Sequence, residues 1–158
     1  VGVALISDNS SFVISGIEIK NRSWSNTTGL IQGVTTITSS NEAKKDFNGF
    51  QNTQSIAEYT HASAAYECTV TQFKNGQMGY LASVGEWMEI INNLDEINKC
   101  MSLIDGLDID KGATSYWTST QYNYEKAWLV TYNGNEFYPN DERKGVSFYA
   151  IRVISQLK

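Results

Sequence analysis

The last third of the chain carries three short runs rich in β-branched and aromatic residues, and these runs limit the folds available to it. They occupy residues 116–120, 127–132 and 149–154, and polar segments separate them. Runs of this kind, bounded by turn-forming residues, are typical of consecutive antiparallel strands. The sequence therefore predicts a small meander with loops that are free to vary, a layout better suited to recognising a partner than to catalysis.

The turn within this meander is predicted from a dipeptide. Asn133-Gly134 favours a type I′ hairpin, because both residue types tolerate positive φ. Before it, Trp128, Val130 and Tyr132 share one face by the two-residue period of a strand. Residues 135–138 are expected to return as a strand, residues 139–145 to form a charged loop, and residues 146–154 to close the sheet. Trp117 and Trp128 are expected in the core.

The first half of the chain predicts a hairpin followed by a long coil. Residues 1–15 contain two β-branched runs around Asp8-Asn9-Ser10, which is a hairpin signal. Residues 20–52 are dominated by Asn, Ser, Thr and Gly, and predict irregular coil that stays close to the domain. A coil of that length in a compact domain usually has a purpose or marks a wrong assignment.

Helical periodicity then predicts three helices. The first covers residues 53–73, with Asn52 as its cap and Asn75-Gly76 as its end. The second begins at Ser83, which forms a capping box with Glu86, and the third covers residues 95–104. We therefore expect an α+β fold of two to three helices packed on a small twisted antiparallel sheet, with the termini paired, in a single domain over residues 1–158.

Composition argues against several classes of partner. The net charge is −5 and the 12 Lys and Arg residues are scattered, so nucleic-acid binding is disfavoured. No apolar run of 18 or more residues is present, which argues against membrane insertion. A signal-peptide pattern is also missing, although the sequence has the form of a mature or excised fragment.

Catalytic and metal-binding residues are sparse. Cys68, Cys100 and the one His cannot complete a zinc site from Cys and His alone, and both thiols are expected buried and free, with a disulfide left open. His61 falls inside the first predicted helix, and no Gly-x-Ser-x-Gly motif occurs. Glu86 is already assigned to a cap. We expect neither enzymatic activity nor a cofactor.

Four motifs, taken in order, carry a family resemblance. They are residues 79–87 (Gly-Tyr-Leu-Ala-Ser-Val-Gly-Glu-Trp), residues 116–120 (Tyr-Trp-Thr-Ser-Thr), Ala127-Trp128 and residues 151–153 (Ile-Arg-Val). Over roughly residues 52–155 the chain resembles the C-type-lectin-fold family of bacterial and phage proteins, which includes the Lcl C-terminal-like domain and the variable proteins of diversity-generating retroelements. Ala82 stands where the family usually has Pro. The resemblance implies a scaffold that displays C-terminal loops, here within residues 121–148, to a ligand.

The candidate site lies on two of these segments, residues 121–126 and 135–145. Tyr, Asn and a few charges on loops over a rigid sheet resemble a binding surface in composition. The predicted ligand-binding residues are Gln121, Tyr122, Asn123, Tyr124, Glu125, Phe137, Tyr138, Asn140, Asp141 and Arg143. An alternative stays open, in which the tyrosines only cover the edges of the sheet.

Calcium is not expected at this site. Neither the Glu-Pro-Asn nor the Trp-Asn-Asp signature of calcium-dependent sugar binding occurs, and Asn140-Asp141-Glu142 is better explained as a solvated acidic turn. The predicted function is calcium-independent recognition of a protein or glycan on a cell surface, by an extracellular protein of a bacterial surface or a virion. The alternatives are an assembly module that packs against neighbouring subunits of a virion or pilus, and a degenerate oxidase-like enzyme that would need a reactive cysteine.

Overall fold

The computed structural model describes residues 1–109 and 113–157, which hold five helices and nine strands. In chain order they are β1 (Gly2–Ile6), β2 (Ser11–Ser15), β3 (Ile19–Arg22), α1 (Ser40–Ala43), α2 (Gly49–Tyr59), α3 (Ala64–Thr69), β4 (Gly79–Leu81), α4 (Val84–Asn92), α5 (Leu94–Leu103), β5 (Ser115–Gln121), β6 (Lys126–Tyr132), β7 (Phe137–Arg143), β8 (Tyr149–Ile151) and β9 (Val153–Gln156). The α+β class is confirmed. The expectation of two to three helices on one small sheet is wrong.

The strands form two sheets. The first has the order β1-β2-β9-β4 and is antiparallel, so the N-terminal hairpin lies beside the last strand, with Phe12 opposite Gln156. The second has the order β3-β8-β5-β6-β7 and includes one parallel pair, in which Tyr116 lies opposite Ala150. The predicted hairpin at residues 1–15 is present. The predicted meander of residues 116–120, 127–132 and 149–154 is present only in part. Strands β5, β6 and β7 form a meander, but the last run divides into β8, which pairs with β5 in parallel, and β9, which belongs to the first sheet.

Arg152 is the point at which the chain passes from one sheet to the other. It lies between β8 and β9, is fully buried, and forms an ion pair with Glu18 at 3.3 Å. Its guanidinium also donates to the backbone oxygens of Ser15 at 3.2 Å and Leu107 at 3.0 Å. Glu18 in turn accepts from the hydroxyl of Tyr116 in β5, so the ion pair is connected to both sheets. Further hydrogen bonds of this kind offset part of the cost of burying the charges.

Strand β6 is covered on both faces. Val130 and Tyr132 pack into one apolar cluster with Trp87, and Leu129 packs into a second with Trp24. The two-residue period predicted for β6 is therefore present, but it separates two cores rather than a core from solvent. Trp117 and Trp128 are buried, as expected.

The first predicted helix is in fact two. Helix α2 begins at Gly49 and ends at Tyr59, and Asn52, predicted as its cap, is buried within it. The chain then breaks because the hydroxyl of Ser63 accepts from the backbone of Tyr66 at 3.1 Å and caps α3. His61 lies in the break, outside both helices and exposed, and its ring stacks on that of Tyr66. Asn75-Gly76 belongs to the turn between the bridged residues Gln72 and Met78, not to a helix end.

The other two helices match their predictions. Ser83 and Glu86 form the expected capping box at the start of α4. Helix α5 covers Leu94–Leu103, within one residue of the prediction. The left-handed residue after it is Asp105, with φ 54°.

The region predicted as coil, residues 20–52, contains regular structure at its ends. It includes most of β3, all of α1 and the start of α2. The middle is irregular, yet it is anchored, since Trp24 is fully buried and its indole donates to the backbone of Thr118 at 2.7 Å. Ile31 and Val34 are buried in the same cluster, so this segment covers one face of the second sheet.

The predicted charged loop at residues 139–145 is mostly strand. Strand β7 continues to Arg143, with Pro139 opposite Val130. Proline is tolerated because β7 is at the edge of its sheet, where one side of the strand needs no donor.

The turn before β7 also differs from the prediction. Tyr132 pairs with Phe137, so four residues connect the strands, and of these only Gly134 has a positive φ, 97°. The side-chain oxygen of Asn133 instead accepts from the backbone of Asn135 and Glu136 at 2.9 and 3.0 Å. The turn is therefore built on an Asn side chain, and the type I′ prediction is wrong.

The two cysteines are free and lie in different environments. Cys68 is buried, as predicted, and burial raises the pKa of its thiol. Cys100 is exposed on α5, contrary to prediction, because its position on the helix faces away from the core formed by Ile97 and Met101.

Candidate functional site

The ten residues predicted as a binding site do not come together at one place. Gln121 is 0% exposed and Phe137 is 4% exposed, so neither is displayed. In the register of β6 and β7, Arg143 lies opposite Lys126 and Phe137 lies opposite Tyr132, six residues further along β6. At about 3.4 Å per residue the two ends of this ladder are about 20 Å apart. The prediction therefore combined two different ends of the hairpin.

The residues of β7 also divide between two faces. Asp141 and Arg143 lie on the face of Trp128, whereas Tyr138 and Asn140 lie on the opposite face, because alternate residues of a strand point to opposite sides. Both Tyr138 and Asn140 are exposed. Several predicted site residues do lie together at one end of the hairpin, and Lys126, which was not predicted, lies among them. We call this group the end surface: Tyr122, Asn123, Tyr124, Glu125, Lys126, Asp141 and Arg143.

The loop of the end surface is held from within by Asn123. Its side-chain oxygen accepts from the backbone of Glu125 at 2.9 Å and of Lys126 at 2.8 Å. The backbone N–H groups of Tyr122 and Asn123 donate to the backbone oxygen of Lys126 at 3.0 and 3.1 Å. An Asn side chain that replaces backbone partners in this way fixes a tight turn.

Neighbouring segments also hold the loop from outside. The N–H of Gly29 donates to the backbone oxygen of Tyr124 at 2.7 Å, and the N–H of Lys144 donates to that of Glu125 at 2.9 Å. The loop backbone is thus fixed on both sides, while the Tyr124 side chain remains 56% exposed. A large side chain on a fixed backbone loses little conformational entropy when it binds.

Charged side chains complete the end surface. Lys126 donates to Asp141 at 2.6 Å, and this hydrogen bond raises the pKa of the Lys126 ammonium. The same ammonium lies 5.8 Å from the centre of the Tyr122 ring, which packs edge-on against Trp128. Arg143 is exposed at the end of β7. The end surface therefore offers both signs of charge and two tyrosine rings, a composition typical of recognition surfaces.

Lys144 lies beneath the end surface. It is fully buried, and its ammonium donates to the backbone oxygen of Gly29 at 2.8 Å and to the side-chain oxygen of Gln121 at 2.5 Å. It also lies 4.8 Å from the ring centre of Trp24, and burial lowers its pKa to about 8. No local signal in the sequence marks this role, because Lys144 ends a charged run, Glu142-Arg143-Lys144, that is typical of solvated surface.

A second group of polar residues is buried and structural. We call it the polar junction: Asp46, Asn52, Ser83, Glu86 and Thr120. The carboxylate of Asp46 accepts from Thr120 at 2.7 Å and from Asn52 at 3.0 Å, and the backbone oxygen of Asp46 accepts from Ser83 at 2.6 Å. The junction connects α2, the start of α4 and β5, and its hydrogen bonds are internal, so it offers no site to a ligand.

Within residues 1–109 and 113–157, no three His, Cys, Asp or Glu side chains are grouped so that they could hold a metal ion. In the same ranges no helix has the length and apolarity needed to span a bilayer.

Comparison with known proteins gives a likeness of fold. No protein-family model matches the chain, and no curated protein matches it. Among solved structures the chain is similar to a fimbrial protein from Bacteroides ovatus, with a TM-score of 0.65 and 19% sequence identity. The match covers 93% of this chain and 36% of that one, so the chain spans little more than a third of the fimbrial protein's length. At this identity the likeness shows the fold alone.

Proposed function

We propose that this chain is a non-enzymatic recognition module that binds a protein or glycan on a cell surface through the end surface, without calcium. The most direct support comes from the loop at residues 122–125. Its backbone is hydrogen-bonded on both sides, while Tyr124 is exposed. Such a loop presents its side chains in a fixed geometry before the partner arrives. We further propose a place on a bacterial surface or a virion, consistent with a fold shared with a fimbrial protein.

We also propose that the chain belongs with the C-type-lectin-fold proteins that it resembles in sequence. The support is the order of the motifs, each of which has a structural role. Ser83 and Glu86 start α4, Trp117 and Trp128 are buried in neighbouring strands, and Arg152 joins the two sheets. In this proposal the framework is shared, and recognition depends on the loops that the framework holds.

The proposal is tested by binding of the purified chain to intact bacterial cells and to a glycan array, with and without chelator. Tyr124→Ala and Arg143→Ala should each weaken binding at least tenfold, equivalent to about 1.4 kcal/mol, because exposed Tyr and Arg residues are frequent binding hot spots. Asn140→Ala, on the opposite face of β7, is the matched control and should bind normally. Binding that resists the chelator and is lost only in the first two variants supports the proposal. If both variants still bind, the site lies elsewhere.

A second candidate function, packing against a neighbouring subunit of a virion or pilus, is favoured by exposed apolar side chains outside the end surface. Val1 and Ile17, exposed to 70% and 61%, line one shallow depression together with Phe73. Permanent subunit contacts are larger and more apolar than transient ones. Under this alternative, light scattering should show concentration-dependent association that Ile17→Ser abolishes and Tyr124→Ala leaves unchanged.

A further inference from the structure

A cleft of about 540 Å³ lies at the other end of the hairpin, away from the end surface. One wall is the junction of α4 and α5, and the other is the turn between β6 and β7. Six residues that line it carry the argument: Asn92, Asn93, Asp95, Tyr132, Asn135 and Glu136. Its volume falls within the range of about 300–1,000 Å³ that is usual for small-ligand sites.

Both walls are held by hydrogen bonds of their own. On the helical wall, Asn93 donates from its side chain to the backbone oxygen of Glu89 at 2.9 Å, at the point where α4 ends and α5 begins. On the other wall, the side chain of Asn133 fixes the turn, and the hydroxyl of Tyr132 donates to the backbone oxygen of Gly134 at 3.1 Å. The Tyr132 ring is thereby oriented, and it packs against Phe137 with ring centres 5.0 Å apart.

Several polar groups around the cleft are available to a ligand. The side chains of Asn92, Asp95, Asn135 and Glu136 make no hydrogen bond to any described part of the protein. The two Asn side chains can each donate and accept, and the two carboxylates accept. Polar groups that face one another across a cleft, beside an aromatic wall, are the features that orient a small ligand.

We propose that this cleft binds an uncharged saccharide. Sugar hydroxyls both donate and accept hydrogen bonds, which matches a rim of carboxamides and carboxylates. The apolar C–H face of a sugar ring matches the flat ring of Tyr132, whose position is fixed by Phe137 and Gly134. No Lys or Arg among residues 1–109 and 113–157 lines the cleft, so an acidic sugar would meet carboxylates without a compensating cation from these residues. The proposal goes beyond the function proposed for the end surface, because the two sites lie at opposite ends of β6 and β7.

The test uses the whole chain and saturation-transfer NMR with four probes: glucose, galactose, mannose and N-acetylglucosamine. A neutral sugar should bind, and Asn92→Ala combined with Asn135→Ala should weaken its binding at least tenfold. Both positions are exposed, so this double variant should keep the unfolding midpoint of the parent chain. Tyr132→Phe retains the ring and should lose at most threefold, whereas Tyr132→Ser should abolish binding.

Two controls separate this proposal from the preceding one. Tyr124→Ala should leave sugar binding unchanged, and the double Asn variant should leave cell binding by the end surface unchanged. The cleft proposal is overturned if a folded chain binds none of the four sugars, or if the double Asn variant binds them as well as the parent does. It is also overturned if spermidine binds in the cleft and the sugars do not.

Discussion

The polar junction and the end surface are built from the same kinds of residue and behave as opposites. Each contains Asn, Asp and Glu side chains, and in each an Asn or Asp oxygen accepts two or more hydrogen bonds. In the junction those bonds connect three different elements and leave nothing exposed. In the end surface they fix the backbone of one loop and leave the ring of Tyr124 exposed.

The difference teaches that burial, rather than residue type, decides whether a polar cluster is structural or available to a partner. A buried polar group must find its partners inside the protein, since an unpaired one costs about 1–3 kcal/mol. An exposed group can use water until a partner replaces it. Substitutions should therefore affect stability in the junction and binding at the end surface, and the following predictions test this division.

The largest effect is expected from Gly49→Ala, at the edge of the junction. A Cβ atom there would lie 2.0 Å from a carboxylate oxygen of Glu86 and 2.9 Å from the backbone nitrogen of Ser83. Because the capping box of α4 would have to break, the free energy of unfolding should fall by more than about 4 kcal/mol. Thermal unfolding followed by circular dichroism measures this. Gly145→Ala, whose Cβ would meet only ordinary contacts, is the control and should change little.

Asp46→Ala should have the next largest effect. It removes the acceptor for the Thr120 hydroxyl, the Asn52 amide and the backbone of Asn48. The donors on Thr120 and Asn52 are buried, so urea unfolding should show a loss of about 2 kcal/mol or more. A loss below about 1 kcal/mol would mean that the junction is not the structural cluster described here.

Glu86→Gln should change how stability depends on pH. Burial raises the pKa of the Glu86 carboxyl from its ordinary 4.5 to about 7. The hydroxyl of Ser83 has one proton to donate, and it lies 2.6 Å from the backbone oxygen of Asp46 and 3.0 Å from the carboxyl of Glu86. When Ser83 donates to Asp46, a protonated Glu86 can donate to the Ser83 oxygen. Between pH 4.5 and 7 the folded state thus keeps a proton that the unfolded chain releases. The stabilisation that this proton gives the folded state is full below pH 4.5 and is lost as pH rises through about 7.

The measurement is urea unfolding of the parent and of Glu86→Gln at several pH values. The parent's stability relative to the variant should decline by about 1–3 kcal/mol between pH 4.5 and 7.5. The comparison with the variant removes the contribution of the other carboxylates. A difference that stays constant with pH, or grows, would contradict the raised pKa.

The smallest effects on stability are expected at the end surface. Tyr124 and Arg143 are exposed, so Ala at either position should change the free energy of unfolding by no more than about 0.5 kcal/mol. Their effect should be on binding alone. If either variant destabilises the chain as much as Asp46→Ala does, the end surface is part of the structural framework and the division between the two regions fails.

Local signals in the sequence were sufficient for several elements of the fold. The capping box at Ser83 and Glu86 placed α4, and two β-branched runs around a polar turn placed the first hairpin. Buried tryptophans were recognised from their place in β-rich runs. In each case the residues that decide the structure are close together in the sequence.

The elements that were missed depend on distant partners. Asn52 has the residue type of a helix cap, but its side chain accepts from Thr35 and donates to Asp46. Pro139 is typical of a loop, yet it is accommodated in β7 because that strand is at an edge. The separation of Phe137 and Tyr138 from the rest of the predicted site follows from the β6–β7 register.

The pairing of β2 with both β1 and β9 has a mechanical consequence. Gly2 lies at the Ser15 end of β2, and Gln156 lies at the Phe12 end. A pull on Gly2 and an opposite pull on Gln156 would therefore run along the strands, loading the hydrogen bonds on both sides of β2 in shear. Bonds loaded in this way must break together rather than one after another. Tension between these two strands would meet the stiffest direction of the first sheet.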